Sequence, residues 1–294
     1  MFYWKDADNM QDCVIENLNN NSHENLNECN RGNAFGKTSR LHLVAEKKGA
    51  KTILSDVSFT APFKIMRPFY EKGETMSVMQ QTASAGIMAG DRQEIDILVK
   101  SNANMEIVSQ AYEKIHKMET GYASRRTVIE VEGGARLIYM PLPAIPFTGS
   151  DFQSDLFVNL EDDSSVFAFR EVLSCGRVAH GEQFGYRRYQ NRISVYRNGH
   201  MIYRDNTLFE PKTIGMTGFG MYEGYTHLST LLLCGVEQAK EHLPVLRNVI
   251  DGQANIEGGL TETAFGDIVV KMLGRSADDL LRIMEQMLSI IGPV

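Results

Sequence analysis

Alternating apolar and polar positions dominate the chain from Ser39 onward. The stretch "SRLHLVAE" alternates, the turn "EKKGAK" follows, and "TILSDVSF" continues the pattern. A period of two places successive side chains on opposite faces of a β-strand. Pro62 and Pro68 then interrupt "APFKIMRPFY", which favours turns and strand edges over a helix interior. The pattern therefore predicts a mainly β chain.

A weak internal repeat organises the middle of the chain. In each copy an alternating strand reaches a polar turn, a small residue follows, and a second alternating strand leaves. The copies are "IDILVKSNANMEI" (Ile95–Ile107), "VIEVEGGARLIY" (Val128–Tyr139) and "LFVNLEDDSSVFAF" (Leu156–Phe169), with Ala103, Ala135 and Ser165 in equivalent places. Repeats of this kind predict antiparallel hairpins stacked in layered, solenoid-like sheets, although a generic antiparallel sandwich also produces recurring hairpins.

One further segment carries a stronger turn signal. "ISVYRNGHMIY" places Asn198-Gly199 between two alternating runs. Asn-Gly favours the primed turn types that close two-residue hairpins. A tight hairpin is therefore expected here.

The C-terminal part changes to a helical period, and about two helices are expected there. "SADDLLRIMEQMLSIIG" begins with Ser276 as a possible cap, and Asp278 and Asp279 suit the positive end of the helix dipole. Its apolar stripe consists of Leu280, Ile283, Met284, Met287 and Leu288. Such a stripe is more often core packing than a cofactor site. A second helix lies in "CGVEQAKEHLPVLRNVID", where Pro244 should begin or kink it, and "GLTETAF" and "DIVVKML" form a strand pair between the helices.

Residues 6–35 are polar and rich in asparagine, so they offer little apolar surface to offset the entropy of ordering. We expect residues 1–38 to be a flexible leader and residues 39–294 to be a single β-rich domain. His23 with Cys13 and Cys29 offers metal-binding side chains, but no fixed spacing supports a site.

Charge and composition exclude several classes of protein. The net charge of -7 argues against nucleic acid as a partner, since phosphate binding needs a basic surface. The chain has no run of 18 apolar residues and no secretory signal pattern at its start, so neither a membrane span nor secretion is expected. The four cysteines lack a CxxC pair, which predicts reduced thiols and a cytoplasmic location.

Motif searches exclude the common enzyme classes. Gly36-Lys37-Thr38 resembles the end of a phosphate-binding loop, but Arg31 stands where that motif needs a glycine. The chain has no HExxH or GxSxG motif and no credible pair of nucleophile and base. The sequence therefore lacks the features of a motif-bearing enzyme.

The segment "SAGIMAGDRQEIDILVK" raises a specific question about Asp91. A dinucleotide-binding loop needs three glycines that lead into a helix, whereas the alternation after Gly90 predicts a strand. Gly86 and Gly90 then supply backbone angles forbidden to other residues, or permit a close approach by another segment. Asp91 lies on the turn after Gly90.

The segment "FREVLSCGRVAHGEQFGYRR" contains a second unusual acid. Glu171 lies within an apolar strand, where an unpaired carboxylate is costly, and Arg170 or Arg177 could pair with it. Cys175 and His180 form a soft ligand pair at a bend, but two ligands do not make a tight metal site.

Several segments together are similar to one family. "SAGIMAGDRQEIDI", "APFKIM" with "RPFY", "SQAYEKIHKMETGYASRR", "VLSCGRVAHGEQF" and "GYTHLSTLLL" resemble the urease accessory proteins of the UreD/UreH type. The similarity runs in order from about Ser39 to the C-terminal helix. One departure is Ser84-Ala85-Gly86, where the family usually has Ser-Pro-Gly; losing the proline loosens the entry to the turn.

The resemblance implies a non-catalytic, mostly β scaffold. Such a scaffold joins a UreF-type helical partner, and through it a UreG-type GTPase, to apo-urease, and it delivers nickel through an internal passage. The positions that match the family's acidic residues are Asp91, Glu171 and Glu182; Gly86, Gly90, Arg177, Cys175 and His180 are the supporting residues. No tight metal site and no tightly bound cofactor are expected, only transient nickel(II).

The chemistry of the three acids agrees with a passage. Nickel(II) binds imidazole and thiolate tightly. Carboxylates, waters and backbone carbonyls bind it more weakly, and a conduit must release what it holds. We therefore expect Asp91, Glu171 and Glu182 to line a water-filled route.

Two alternatives remain open. In the first, the chain is a pure adaptor in which Asp91 and Glu171 only hold turns and the partners handle the metal. In either role, Phe219, Tyr222, Tyr225 and the C-terminal stripe are the candidates for contact with a partner. In the second, it is a β-solenoid polysaccharide lyase or hydrolase with paired carboxylates and a platform of exposed aromatic side chains. The single tryptophan, Trp4, lies in the leader, which disfavours such a platform.

Overall fold

The computed structural model describes residue 36, residues 38–70 and residues 75–292. Most of the predicted leader, with Cys13, His23 and Cys29, lies outside the described residues, and its flexibility stays a prediction.

Strands make up most of this part of the chain, which confirms the mainly β class. The strands are β1 Thr38–Lys48, β2 Lys51–Phe59, β3 Phe63–Ile65, β4 Met76–Thr82, β5 Arg92–Val99, β6 Asn104–Ser109, β7 Glu113–Ile115, β8 Ala123–Val131, β9 Arg136–Met140, β10 Ala144–Pro146, β11 Asp151–Leu160, β12 Val166–Ser174, β13 Arg188–Arg197, β14 His200–Phe209, β15 His227–Cys234, β16 Ile256–Glu262 and β17 Ile268–Gly274. The helices are α1 Glu237–Glu241, α2 Leu243–Asp251 and α3 Ala277–Ile291, and a 3-10 turn covers Val178–His180.

The strands form two sheets. Sheet 1 has the order β14-β13-β11-β8-β5-β1-β2, and sheet 2 has the order β16-β17-β15-β12-β9-β6-β4-β3, with β10 paired to β12 and β7 paired to β10. The central strands of both sheets run parallel, and antiparallel strands flank them. The main core lies between the two sheets.

The three repeats are arches rather than hairpins, so the predicted antiparallel pairing within each repeat is wrong. The strands of each repeat (β5 and β6, β8 and β9, β11 and β12) enter different sheets and pair in parallel with the next repeat. The bend residues Ala103, Ala135 and Ser165 are fully buried and stack on one another. Arg136 N, for example, donates to the carbonyl of Ala103 at 2.9 Å. Each arch buries the apolar faces of both its strands against each other, which a flat hairpin does not do.

The local predictions with strong turn or capping signals are confirmed. Asn198 and Gly199 both have positive φ, of 51° and 73°, as the primed turn between β13 and β14 requires. The Oγ of Ser276 accepts a hydrogen bond from Asp279 N and caps α3. Pro244 lies in the first turn of α2, and β16 pairs antiparallel with β17.

Helix α3 packs its apolar stripe on the outer face of sheet 2. Leu280, Ile283, Met284 and Met287 are buried there and Leu288 is partly buried. The stripe is core packing, so its availability to a partner, as considered from the sequence, is ruled out.

Candidate functional site

A row of polar side chains crosses sheet 1 on the face that packs against sheet 2. Its members occupy directly paired positions on six adjacent strands: Ser39, Gln93, Arg125, Ser154, Asn191 and Thr207. Directly paired residues point to the same face of a sheet. The next paired positions inward include Leu41, Ile95, Leu156 and Ile193, which belong to the core. We call this set the polar row. It is a line of polar side chains within a mainly apolar interior.

Sheet 2 presents a shorter polar set to the same space. Glu171, Thr230 and Lys271 are paired across β12, β15 and β17, and therefore share one face. Beside Glu171 the sheet is interrupted, because β12 pairs with β9 up to Phe169 and with β10 at Leu173. The interruption coincides with the "PLP" segment of residues 141–143, whose prolines lack the N–H that a ladder needs.

A cavity of about 60 Å³ lies at this interruption, between the two sheets. Its lining includes Glu113, Arg125, Ser154, Glu171, Tyr189 and Asn191. A space of this size with several polar partners can hold a few water molecules. The polar row thus borders a chamber beside Glu171 whose lining combines polar side chains with apolar ones such as Phe152, Leu156 and Phe169.

Glu171 connects the two sheets. The side-chain amide of Asn191 donates to its Oε2 at 2.6 Å. Burial, with a smaller contribution from the charge of Asp205, raises the pKa of Glu171 to about 7, although Lys271 and the hydrogen bond from Asn191 both lower it. The predicted arginine pairing is wrong, because Arg170 pairs with Glu285 and Arg177 with Glu182.

A second acid, Glu113, borders the same chamber and was missed from the sequence. Arg125 Nη1 donates to Glu113 Oε2 at 2.8 Å, and Arg125 Nε donates to Gln93 Oε1 at 2.9 Å. Burial opposes the charge on Arg125, but its attraction to Glu113 and their hydrogen bonds prevail and raise the pKa of Arg125. The middle of the polar row therefore contains a closed ion pair.

A third acid, Asp205, lies on β14, at the end of the row marked by Thr207, and was also missed. Thr207 Oγ1 and Tyr203 Oη donate to its carboxylate at 3.4 and 3.3 Å. The ammonium of Lys271 contacts Asp205 Oδ2. Because Lys271 is 44% exposed and Asp205 only 13%, the row reaches solvent here.

Repeat periodicity could have revealed part of the polar row. Gln93, Arg125, Ser154 and Asn191 each occupy an inward position near the start of a strand, where the alternation calls for an apolar residue. Each looks unremarkable within its own strand. Aligning the repeats on their bends places Gln93 and Arg125 in one column, ten residues before Ala103 and Ala135, whereas Ser154 precedes Ser165 by eleven residues and Asn191 lies outside the three repeats.

Asp91 has a local role in the structure. Met88 N donates to Asp91 Oδ2 at 2.8 Å and Asp91 N donates to Met88 O at 3.1 Å, so its side chain closes the turn that contains Gly90 (φ 80°). Asp91 is not among the residues that line the chamber.

Gly86 is required by a close approach. A Cβ on Gly86 would overlap the carbonyl oxygen of Lys114 and the ring of His116. Ile87 pairs with Ile115 immediately afterwards. The interpretation of this glycine as a site of close contact is confirmed.

Glu182 is held by Arg177. Arg177 Nε donates to Glu182 Oε2 at 2.9 Å, and the guanidinium carbon lies 4.3 Å from the ring centroid of Phe147. The hydrogen bond with Arg177 lowers the pKa of Glu182 to about 2, with a further contribution from Thr148 N. Glu182 therefore fixes the 3-10 segment to the preceding loop, and it does not line the chamber.

The soft ligands do not form a metal site with their neighbours. Cys175 is buried, which raises the pKa of its thiol to about 11, whereas His180 is exposed. In the described part of the chain, no three His, Cys, Asp or Glu side chains are grouped to hold a metal ion.

One of the predicted interface residues belongs to the core. Tyr222 is 1% exposed and packs edge-on against Phe184 and Phe209, with ring centroids 4.9 and 5.8 Å away. Its assignment to a partner interface is wrong. Phe219 is 98% exposed on the same loop, and Tyr225 is half-buried beside Arg275.

Comparison with known proteins decides the family. The sequence model of the UreD urease accessory protein family matches residues 37–294. The chain belongs to the UreD family. Members of this family are accessory proteins rather than enzymes, so the carbohydrate-active enzyme considered from the sequence is set aside.

Individual UreD and UreH proteins are similar over most of the chain. Urease accessory protein UreD of Acetivibrio thermocellus is 36% identical over 260 residues, covering 88% of this chain and 99% of its own length. Urease accessory protein UreH of Helicobacter pylori strain P12 is 35% identical over 258 residues, covering 86% and 95%. UreD of Flavobacterium johnsoniae is 27% identical over 245 residues, covering 82% and 88%. Among the described residues of this UreD chain, no helix has the length and apolar character needed to cross a membrane.

Proposed function

We propose that this UreD chain is a cytoplasmic scaffold that bridges apo-urease to UreF-type and UreG-type partners and passes nickel(II) between its two sheets. The observation that carries the proposal is the polar row, with Glu113, Glu171 and Asp205 along it and a chamber beside Glu171. Burying polar groups costs free energy that an apolar core would avoid. A function that needs a hydrophilic interior explains that cost.

The ligand types suit passage rather than storage. Oxygen ligands and water exchange readily around a divalent cation, and conduction requires sites that are weak enough to release it. Glu171 is the central residue, because it faces the chamber and is bound by the amide of Asn191. Asp91 and Glu182 each have a local hydrogen-bond partner, Met88 N and Arg177 respectively. Their role in the passage stays a prediction.

Glu171→Gln tests the passage. The variant keeps the size of the side chain and removes its charge, so we expect it to assemble with its partners normally but to activate apo-urease severalfold more slowly. Glu130→Gln, on the solvent-facing side of β8, is the matched control. The measurements are nickel content and urease activity over time, with copurification of the partners as the check on assembly. Activation at the wild-type rate would contradict the nickel passage.

The adaptor role has separate support in Phe219, a fully exposed aromatic side chain on an anchored loop. If Phe219→Ala abolishes copurification of the partners while Glu171→Gln activates urease at the wild-type rate, the chain is an adaptor without metal handling.

A further inference from the structure

Lys271 lies where the polar interior meets solvent. In sheet 2 it lies two strands away from Glu171, and Thr230 is the directly paired residue between them. Neighbouring strands are about 4.8 Å apart, so the Cα atoms of Glu171 and Lys271 are separated by roughly 10 Å. The ammonium of Lys271 reaches Asp205 on β14 of the opposite sheet. The pair therefore links the two sheets at the end of the polar row.

The charges at this end act on one another. Asp205 raises the pKa of Glu171 and Lys271 lowers it, and burial has a larger effect than either. Two carboxylates from opposite sheets thus share the field of a single ammonium group. Asp205 is the more shielded partner, so a cation arriving from solvent meets the lysine first.

We propose that Lys271 is the resident counter-cation of this end of the interior and limits how long a divalent cation is retained beside Asp205 and Glu171. The proposal rests on the proposed function, since it names the residue that sets release from the passage. Lysine carries a compact charge on a flexible four-carbon stem, so it can swing aside for an ion and return. A tethered cation competes with the ion for the carboxylates and so weakens its retention. Weak retention is what a conduit needs.

The chain offers a matched control in Lys240. It pairs with Glu262 at 3.7 Å and is 45% exposed, close to the exposure of Lys271. It lies on α1, outside the set formed by Glu171, Thr230 and Lys271. Nickel(II) affinity of the full-length chain is measured with nickel chloride against a chromophoric chelator. Lys271→Met should bind nickel(II) about tenfold more tightly than the wild type, because one opposing charge near two carboxylates is removed. Lys240→Met and Lys271→Arg should stay near the wild-type affinity.

A second change shows which carboxylate is involved. Adding Asp205→Asn to Lys271→Met should return the affinity to the wild-type level. Lys271→Gln repeats the measurement if the methionine variant fails to fold. Unchanged affinity in the Lys271 variants, or an equal increase in Lys240→Met, overturns the proposal.

The two hypotheses fail separately. If Glu171→Gln slows urease activation but Lys271→Met leaves nickel affinity unchanged, the passage stands and the counter-cation role is wrong. If Lys271→Met tightens binding but Glu171→Gln activates urease at the wild-type rate, the passage is wrong, and the transit role of Lys271 with it.

Discussion

The side-chain amide of Asn191 donates a 2.6 Å hydrogen bond to Glu171, and this contact joins the two sheets across the interior. Asn191 belongs to the polar row of sheet 1, and Glu171 faces it from the interrupted region of sheet 2. Burial makes the carboxyl group of Glu171 resist ionisation, and the hydrogen bond from Asn191 offsets part of this effect. Burial therefore gives this titratable group an unusual pKa.

Stability should fall with rising pH because of Glu171. Its pKa is about 7 in the folded chain against an ordinary 4.5, so between these values the folded state binds the proton that the unfolded state releases. Its contribution is fully present below about pH 4.5 and is lost as the pH rises through about 7. Between pH 5 and pH 8, Glu171 should lower the free energy of unfolding of the wild type by roughly 1–3 kcal/mol, allowing for partial solvent screening. Glu171→Gln should lack this decrease.

Urea denaturation of the wild type and Glu171→Gln at pH 5 and pH 8 measures this difference. Glu130→Gln, on the outer face of sheet 1, should keep the wild-type pH dependence. An identical pH dependence in wild type and Glu171→Gln would show that Glu171 titrates as it does in solvent.

Gly86→Ala should destabilise the fold through its contact with Lys114. The added Cβ overlaps the Lys114 carbonyl, and φ is 145°, so backbone and neighbour must both move. We expect a loss of about 2–4 kcal/mol in the free energy of unfolding. Gly121→Ala, at φ 71° with open space around its Cβ, should lose only about 1 kcal/mol. Equal losses in the two variants by chemical denaturation would show that the close approach is unimportant.

Tyr222→Ala and Phe219→Ala should separate packing from docking on a single loop. Removing the buried Tyr222 ring leaves a cavity against Phe184 and Phe209 and should cost about 3–5 kcal/mol in the free energy of unfolding. Removing the exposed Phe219 ring should change stability by less than about 0.5 kcal/mol. Thermal and urea unfolding of the two variants test this, and a large loss in Phe219→Ala would contradict the exposed position of its side chain.

Local signals in the sequence predicted local structure well. The Asn198-Gly199 turn, the Ser276 cap and the stripe of α3 depend on interactions within a few residues, and all three are confirmed. The arches were mistaken for hairpins because an alternating strand looks the same whichever sheet it joins. Only long-range pairing, such as Gln93 with Arg125, distinguishes the two arrangements.

The candidate site was predicted in part. Glu171 was found because a carboxylate in an apolar strand stands out, but its partner Asn191 comes from a different strand of the opposite sheet. Glu113 and Asp205 lie in polar surroundings in the sequence and become notable only when the sheets close around them. Tyr222 was misplaced because an aromatic residue in a glycine-rich loop carries no signal of its burial.

The arch arrangement also bears on how the chain acquires its structure. A strand such as β5 finds its partner β8 only after about thirty further residues have emerged. Closing loops of this length precedes any gain in hydrogen bonding, which makes such topologies slow to fold. The nascent polypeptide therefore keeps unpaired strand edges open for longer, and these edges are the surfaces through which β proteins aggregate.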